Sequence, residues 1–251
     1  MRVLMLAGTA EARQVAAALS QLRGLTVIAS VAQATRAPSS MGIATRIGGF
    51  GGDAGFAEYL ERERIAAVLD ATHPCSAGIS HRSARICAER GLPYARILRP
   101  AWRPAAGDDW LFAEDEAGAA AAVPRGAHVF VATGRQRIEA YGPMPGRRVL
   151  VRQIDRAPSE PPPFEDGRWV VGTPPFPTAD EVALFRDLGI DWLIVRNAGG
   201  SSSRSKLDAA RQLGIRVAMI RRPMQPEAVK LDSVAAAIGW VRRLGMRAGR
   251  G

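Results

Sequence analysis

The sequence predicts an α/β fold made of two Rossmann-like domains, each a parallel sheet flanked by helices, with a cleft between them. Three observations carry this. Short apolar runs alternate with single amphipathic helices along the 251 residues, which is the pattern of parallel βαβ crossovers. Every distinctive short motif falls at the carboxyl end of one of those runs, where open α/β sheets bind ligands. Residues 65–74 (IAAVLDATHP) are echoed by residues 190–199 (IDWLIVRNAG). Each copy leads into a helix stopped by Gly91 or Gly214, then a strand, then Arg99-Pro100 or Arg222-Pro223.

The elements follow in order. Residues 3–7 are a short apolar run ending in Gly8-Thr9, a buried strand and a tight turn. Ala12, Val15, Ala16, Leu19 and Leu22 then recur at helical spacing, and the β-branched stretch 26–31 is a second strand. A helix is predicted over 56–64, and a buried strand over 66–71 that ends at Thr72-His73-Pro74. A helix over 76–90 and a strand over 94–98 close the first domain, 1–100. Residues 99–109, rich in proline, glycine and alanine, form the boundary. In the second domain, 101–251, strands are predicted over 128–132, 149–154, 192–195 and 217–220. Thr178 is expected to cap a helix reaching Leu188, and another helix spans 204–213. Prolines between 157 and 177 preclude regular structure throughout that stretch. Leu231, Val234, Ala235, Ile238 and Val241 share one face of a C-terminal docking helix over 226–244.

Composition narrows the function classes. At 47% hydrophobic and 23% charged residues the chain is an ordinary globular protein, so disordered and collagen-like classes drop out. No run approaches the ~18 apolar residues of a membrane span, and Gly8, Thr9 and Glu11 interrupt the N-terminal run where a signal peptide needs more apolar length. A cytoplasmic location is expected. Cys75 and Cys87 are too few for a disulfide scaffold, and His81 and His128 have no metal-ligand spacing with His73, so no metal is expected. The net charge of +10 is almost all arginine, Lys206 and Lys230 being the only lysines. It reads either as coding bias on a solvated surface or as affinity for a polyanionic small molecule, since guanidinium grips carboxylates and phosphates bidentately. Nucleic acid is disfavoured, because aromatics are only 6% and no stacking motif is present.

Several turns could carry chemistry. Gly8-Thr9-Ala10-Glu11 with Arg13 is not a G-x-G-x-x-G fingerprint. A glycine, a hydroxyl and a free helix N-terminus still offer N–H donors to a pyrophosphate, although Thr9 alone could simply cap the helix. NAD-binding folds place an acid after the second strand. Here the stretch carries Ser30 and Arg36 and no acid, so a dinucleotide bound there would be NADP, its 2′-phosphate on those residues. Thr72, His73 and Pro74 fall where a nicotinamide would lie, which makes His73 the candidate catalytic group. Thr133-Gly134-Arg135-Gln136 and the stretch Asn197, Gly199, Gly200, Ser201, Ser202, Ser203 and Lys206 are glycine-hydroxyl-base turns suited to anions. The second lacks G-x-x-x-x-G-K-[ST], which argues against nucleotide hydrolysis.

Taken together, LMLAGTAEAR, DATHP, RPAW at 99–102, TGRQ at 133–136, VRNAGG at 195–200 and IRRP at 220–223 resemble the precorrin-6A reductases of cobalamin biosynthesis. The resemblance runs in order over nearly the whole chain. Cys75-Ser76 and Ala198 are small departures from the family's wording. It implies NADPH-dependent reduction of a macrocyclic double bond, giving precorrin-6B, on a tetrapyrrole rich in carboxylates. It further implies hand-over to neighbouring pathway enzymes, a cofactor held at residues 8–13 and Arg36, and turns at 133–136 and 197–206 that, with Arg222, meet substrate carboxylates or the far end of the cofactor. The alternatives are a non-catalytic two-domain binder of an anionic ligand and another NADP-dependent reductase.

Overall fold

A computed structural model describes the chain except residues 33–40, 155, 157, 202 and 249–251. The chain divides into two compact units, one of residues 1–100 with 223–251 and one of residues 101–222.

The first unit contains β1 (Arg2–Ala7), α1 (Ala10–Leu19), β2 (Thr26–Val31), β3 (Ala44–Ile47), α2 (Gly52–Arg62), β4 (Ala67–Ala71), α3 (Ala77–Glu89) and β5 (Tyr94–Ile97). The second contains β6 (Trp110–Ala113), α4 (Glu116–Ala122), β7 (His128–Val131), a 3-10 turn (Arg135–Tyr141), β8 (Arg148–Ile154), β9 (Asp166–Gly172), α5 (Thr178–Asp187), β10 (Trp192–Arg196), α6 (Ser205–Leu213) and β11 (Arg216–Ile220). The chain then returns to the first unit through β12 (Val229–Leu231) and α7 (Val234–Ala248).

Both sheets are parallel throughout, with six strands each among the described residues. The orders are β12-β5-β4-β1-β2-β3 and β6-β11-β10-β7-β8-β9. Strands buried on both faces read as continuous apolar runs, which is why β1, β4 and β10 stand out in the sequence. The two orders are the same arrangement with one exchange. In each sheet the edge strand next to β5 or β11 comes from the other half of the chain: β6 follows β5 in sequence but pairs with β11, and β12 follows β11 but pairs with β5. The exchanges occur after Arg99-Pro100 and at Arg222-Pro223, the two boundaries of the units.

This corrects the assignment of residues 101–251 to one domain. Leu231, Ala237, Trp240 and Val241 lie in the same apolar core as Val15 and Leu19 of α1, so the C-terminal docking helix belongs to the first unit. Burial of a large apolar side chain contributes ~1.5–3 kcal/mol, and several of them outweigh any pairing preference of the three-residue strand β12. The helix predicted over 226–244 is also shorter at its start, because β12 occupies Val229–Leu231. At α5 the cap position is Pro177, whose carbonyl accepts from the Glu181 amide, and Thr178 is the first helical residue. No helix among the described residues is long and apolar enough to cross a membrane.

Candidate active site

In the first sheet β1 lies between β2 and β4, so the chain leaves β1 in one direction and reaches β4 in the other. This reversal opens a crevice at the carboxyl ends of β1 and β4. The turns singled out in the sequence flank it. A Cβ placed on Gly8 would stand 3.7 Å from the Thr72 Cα and 3.9 Å from the His73 nitrogen, so the two backbones run side by side. Thr9 spans the crevice: its Oγ1 accepts from the Ala12 amide at 3.2 Å, capping α1, and donates to the Ala71 carbonyl at 2.9 Å. The Thr9 hydroxyl is therefore committed to the fold, and the donors free for an anion are the backbone amides of the α1 N-terminus. Ala10 begins the helix, and Arg13 is exposed on it. Glu11 pairs with Arg99 at 2.6 Å. Burial works against the Glu11 carboxylate, but its own backbone amide and the Arg99 guanidinium hold its pKa below the ordinary value.

Behind the Thr72-His73 turn lies a buried carboxylate, the first residue of DATHP, to which the sequence reading assigned no role. Asp70, fully buried in β4, accepts from the Thr72 amide (2.9 Å), the Thr72 hydroxyl (2.6 Å), the Ser80 hydroxyl (2.5 Å) and the Tyr94 hydroxyl (2.7 Å). The Arg96 guanidinium, also buried, approaches at 3.7 Å and donates to the His73 carbonyl at 3.0 Å. Burial and the Asp70 charge push the Tyr94 phenol upward, so it stays a donor. Asp70 and Arg96 thus grip both sides of the turn. His73 Nδ1 accepts from the Cys75 amide at 3.2 Å, which in the neutral ring places the proton on Nε2. Pro74 is buried, and its carbonyl accepts from Gln225 of the returning C-terminal segment at 3.2 Å. Among the described residues no group of His, Cys, Asp and Glu could hold a metal ion.

At the next strand end, Ser30 is buried and opposite Arg46 in the β2–β3 register. Arg46 donates to the Ser30 hydroxyl at 2.8 Å and to the carbonyls of Gly48 and Gly49, and lies over the rings of Phe50 (4.0 Å) and Tyr59 (5.0 Å). Three of its five N–H donors are so occupied. Arg36 lies outside the described residues. Arg46 escaped the sequence reading because β3 is short and largely exposed, giving no apolar pattern to place it beside Ser30.

The second sheet repeats the geometry. Its reversal lies between β7 and β10, whose carboxyl ends carry Thr133–Gln136 and Asn197–Gly200. Gly134, Gly199 and Gly200 have φ of +75°, +67° and +74°, a region L side chains avoid. The Thr133 hydroxyl meets the Tyr141 phenol at 2.8 Å, while Arg135 and Gln136 are exposed. Between the strand ends Arg196 donates to the buried Glu116 at 2.6 and 2.9 Å.

Asn197, expected to touch a ligand, is engaged within the fold through its side chain. Its side chain accepts from the Trp102 amide (2.8 Å) and donates to the Trp102 carbonyl (2.9 Å). Arg222 likewise donates to the carbonyls of Asn197 (2.7 Å) and Ala198 (3.0 Å). A buried amide is satisfied first by the nearest backbone pair, and spacing alone does not show that residue 102 is that pair. Ser201 is exposed, Ser203 half-buried, and Ser202 lies outside the described residues. Lys206, in the first turn of α6, donates to the Ser203 carbonyl at 2.8 Å. Burial draws its pKa down to about 8, with Glu181 opposing and Arg152 adding to the shift. Arg152 and Glu181 form a buried ion pair at 2.5 Å; burial outweighs pairing for both, lowering the arginine and raising the carboxylate.

A family model described as Precorrin-6x reductase CbiJ/CobK matches residues 2–242. A precorrin-6A reductase of Rhodococcus erythropolis is 42% identical over 248 residues, covering 98% of this chain and 99% of that protein. One from Rhodobacter capsulatus is 38% identical over 241 residues, covering 96% and 95%. A solved structure titled CobK precorrin-6A reductase superimposes with a TM-score of 0.91 at 37% identity, covering 98% of this chain and 97% of that one.

Proposed function

Because the chain belongs to the precorrin-6x reductase family, we propose that it uses NADPH to reduce one double bond of precorrin-6A, giving precorrin-6B in cobalamin biosynthesis. The observation that carries this is the crevice of the first unit, where the α1 N-terminus meets the Thr72-His73 turn beside an arginine-serine pair instead of an acid.

The donor set fits a phosphorylated dinucleotide. Backbone amides at Gly8, Thr9 and Ala10, the first with no side chain to obstruct approach, suit a pyrophosphate. Ser30 with Arg46, and Arg36 from the sequence, suit a 2′-phosphate. A reduced nicotinamide, when bound, supplies a hydride. Thr72, His73 and Pro74 would orient its ring, the turn being fixed by Asp70 and Arg96. The second unit would supply the amides of its glycine turns with Arg135, Gln136, Ser203 and Lys206 for substrate carboxylates. The reading places the reaction in the cytoplasm, with product passing to later enzymes of the pathway.

The deciding experiment is loss of NADPH absorbance on addition of precorrin-6A, with the reduced product identified by mass. Binding of both ligands without oxidation would leave a non-catalytic binder instead.

Two outcomes are expected at Lys206. Its replacement in Lys206→Ala should raise KM for the tetrapyrrole roughly tenfold, the worth of one charge-assisted contact, with little change in Tm or in KM for NADPH. An ammonium titrating at about 8 attracts carboxylates only below that pH. Tetrapyrrole KM should therefore rise as pH passes upward through 8 in the wild type and stay flatter in the variant. Parallel profiles for the two proteins would remove Lys206 from the site.

A further inference from the structure

The turn after β10 is held from behind by two side chains that converge on its carbonyl oxygens and by a third that ties it to the Trp102 backbone. Arg222 takes those of Asn197 and Ala198, at 2.7 and 3.0 Å, and the Trp102 indole N–H takes that of Gly200 at 2.6 Å. Asn197 completes the set by pairing with both the amide and the carbonyl of Trp102. Trp102 and Asn197 are both buried, and all five residues belong to one unit.

The direction of the amides follows from this. In a trans peptide the C=O of one residue and the N–H of the next point in opposite directions. Fixing the Ala198 carbonyl on Arg222 turns the Gly199 N–H away from Arg222, and fixing the Gly200 carbonyl on Trp102 turns the Ser201 N–H away from the indole. Gly199 and Gly200 both have positive φ, a conformation that residues with a Cβ rarely adopt, so glycine at these two positions lets the turn take this path.

We propose that Trp102, Asn197 and Arg222 are positioning residues that aim the amides of the 199–201 turn at substrate carboxylates, and that Asn197 and Arg222 do not themselves contact the substrate. This rests on the reading of the turn as part of the substrate site. It also accounts for two sequence motifs together, since RPAW contributes the tryptophan that orders NAGG and IRRP the arginine that holds its carbonyls. Pre-ordering lowers what the ligand must spend on fixing the loop.

Two variants test the clamp without dismantling the core. Trp102→Phe keeps an aromatic ring and removes the donor to Gly200. Arg222→Lys keeps the charge and removes the fork that spans two carbonyls. Hydrogen exchange of the ligand-free protein should show amides of residues 199–201 exchanging about tenfold faster in each variant, with those of β10 unchanged. In turnover assays the tetrapyrrole KM should rise by roughly five- to twentyfold, within the worth of one or two hydrogen bonds, with kcat and the NADPH KM within about twofold. Unchanged exchange in both variants overturns the clamp whether or not the wild type turns over precorrin-6A. Rescue of KM by Arg222→Lys, or an equal loss for both substrates with a fall in Tm, also overturns it, in favour of a direct ion pair or a purely structural role. A wild type that does not oxidise NADPH counts against the proposed activity, and the exchange measurement still judges the clamp.

Discussion

Asp70→Ala is expected to lower stability by about 3–5 kcal/mol and Tm by roughly 10 °C, the largest effect of any single polar substitution considered. Four donors converge on this one fully buried carboxylate, from Thr72, Ser80 and Tyr94. Removing it leaves them facing an apolar methyl. Arg96 loses its counter-charge while 1% exposed, and an unpaired buried cation is among the costliest things a point change can leave. Asp70→Asn separates charge from shape. Its amide oxygen can still accept from Thr72, but its NH2 opposes the hydroxyl donors and the guanidinium, so it should recover less than half of the loss. Near-complete recovery in the asparagine variant would mean that Asp70 acts mainly by filling space. The same substitutions should weaken cofactor binding more than substrate binding, because the Thr72-His73 turn loses its anchor.

The second large effect is expected at Arg46. A partly exposed charge-assisted contact to a 2′-phosphate is worth ~1.5–3 kcal/mol, so Arg46→Ala should weaken NADPH by roughly ten- to a hundredfold. NADH, the poorer cofactor, should be almost unaffected. The ratio of the two removes the general cost of losing the contacts to Ser30, Gly48 and Phe50. The maximal rate at saturating NADPH should hold, since the contact is made equally in ground and transition states. Arg36→Ala, measured beside it, divides the phosphate between two arginines. If only Arg36→Ala changes the ratio, Arg46 is a structural brace of the β2–β3 edge. If neither does, the 2′-phosphate is held elsewhere.

The sequence by itself determined the alternating βαβ order, the buried parallel strands and the glycine-hydroxyl turns at their carboxyl ends. These are local properties. A strand buried on both faces is written as an unbroken apolar run, and a strand end must be written in glycines and hydroxyls. The echo between residues 65–74 and 190–199 marked β4 and β10, which occupy the same position in the two sheets. The chain passes from one unit to the other at the paired Arg-Pro exits, although only the first of them reads as a boundary in the sequence.

Only the tertiary structure decided which sheet each edge strand joins. β6 and β12 are four and three residues long, and nothing in so short a segment names its partner. The choice is made by what the following helix buries, as α7 does with Trp240 and Val241 against α1. The same holds for the polar groups. Ser30 finds Arg46 across 16 residues, Asp70 finds Tyr94 across 24, and Asn197 finds Trp102 across 95. A residue type states what a side chain can donate or accept. Whether it faces a ligand or the interior depends on which distant backbone the fold brings against it. That is why the bonds of Asn197 to Trp102 and of Arg222 to the 197–198 carbonyls could not be read from the sequence.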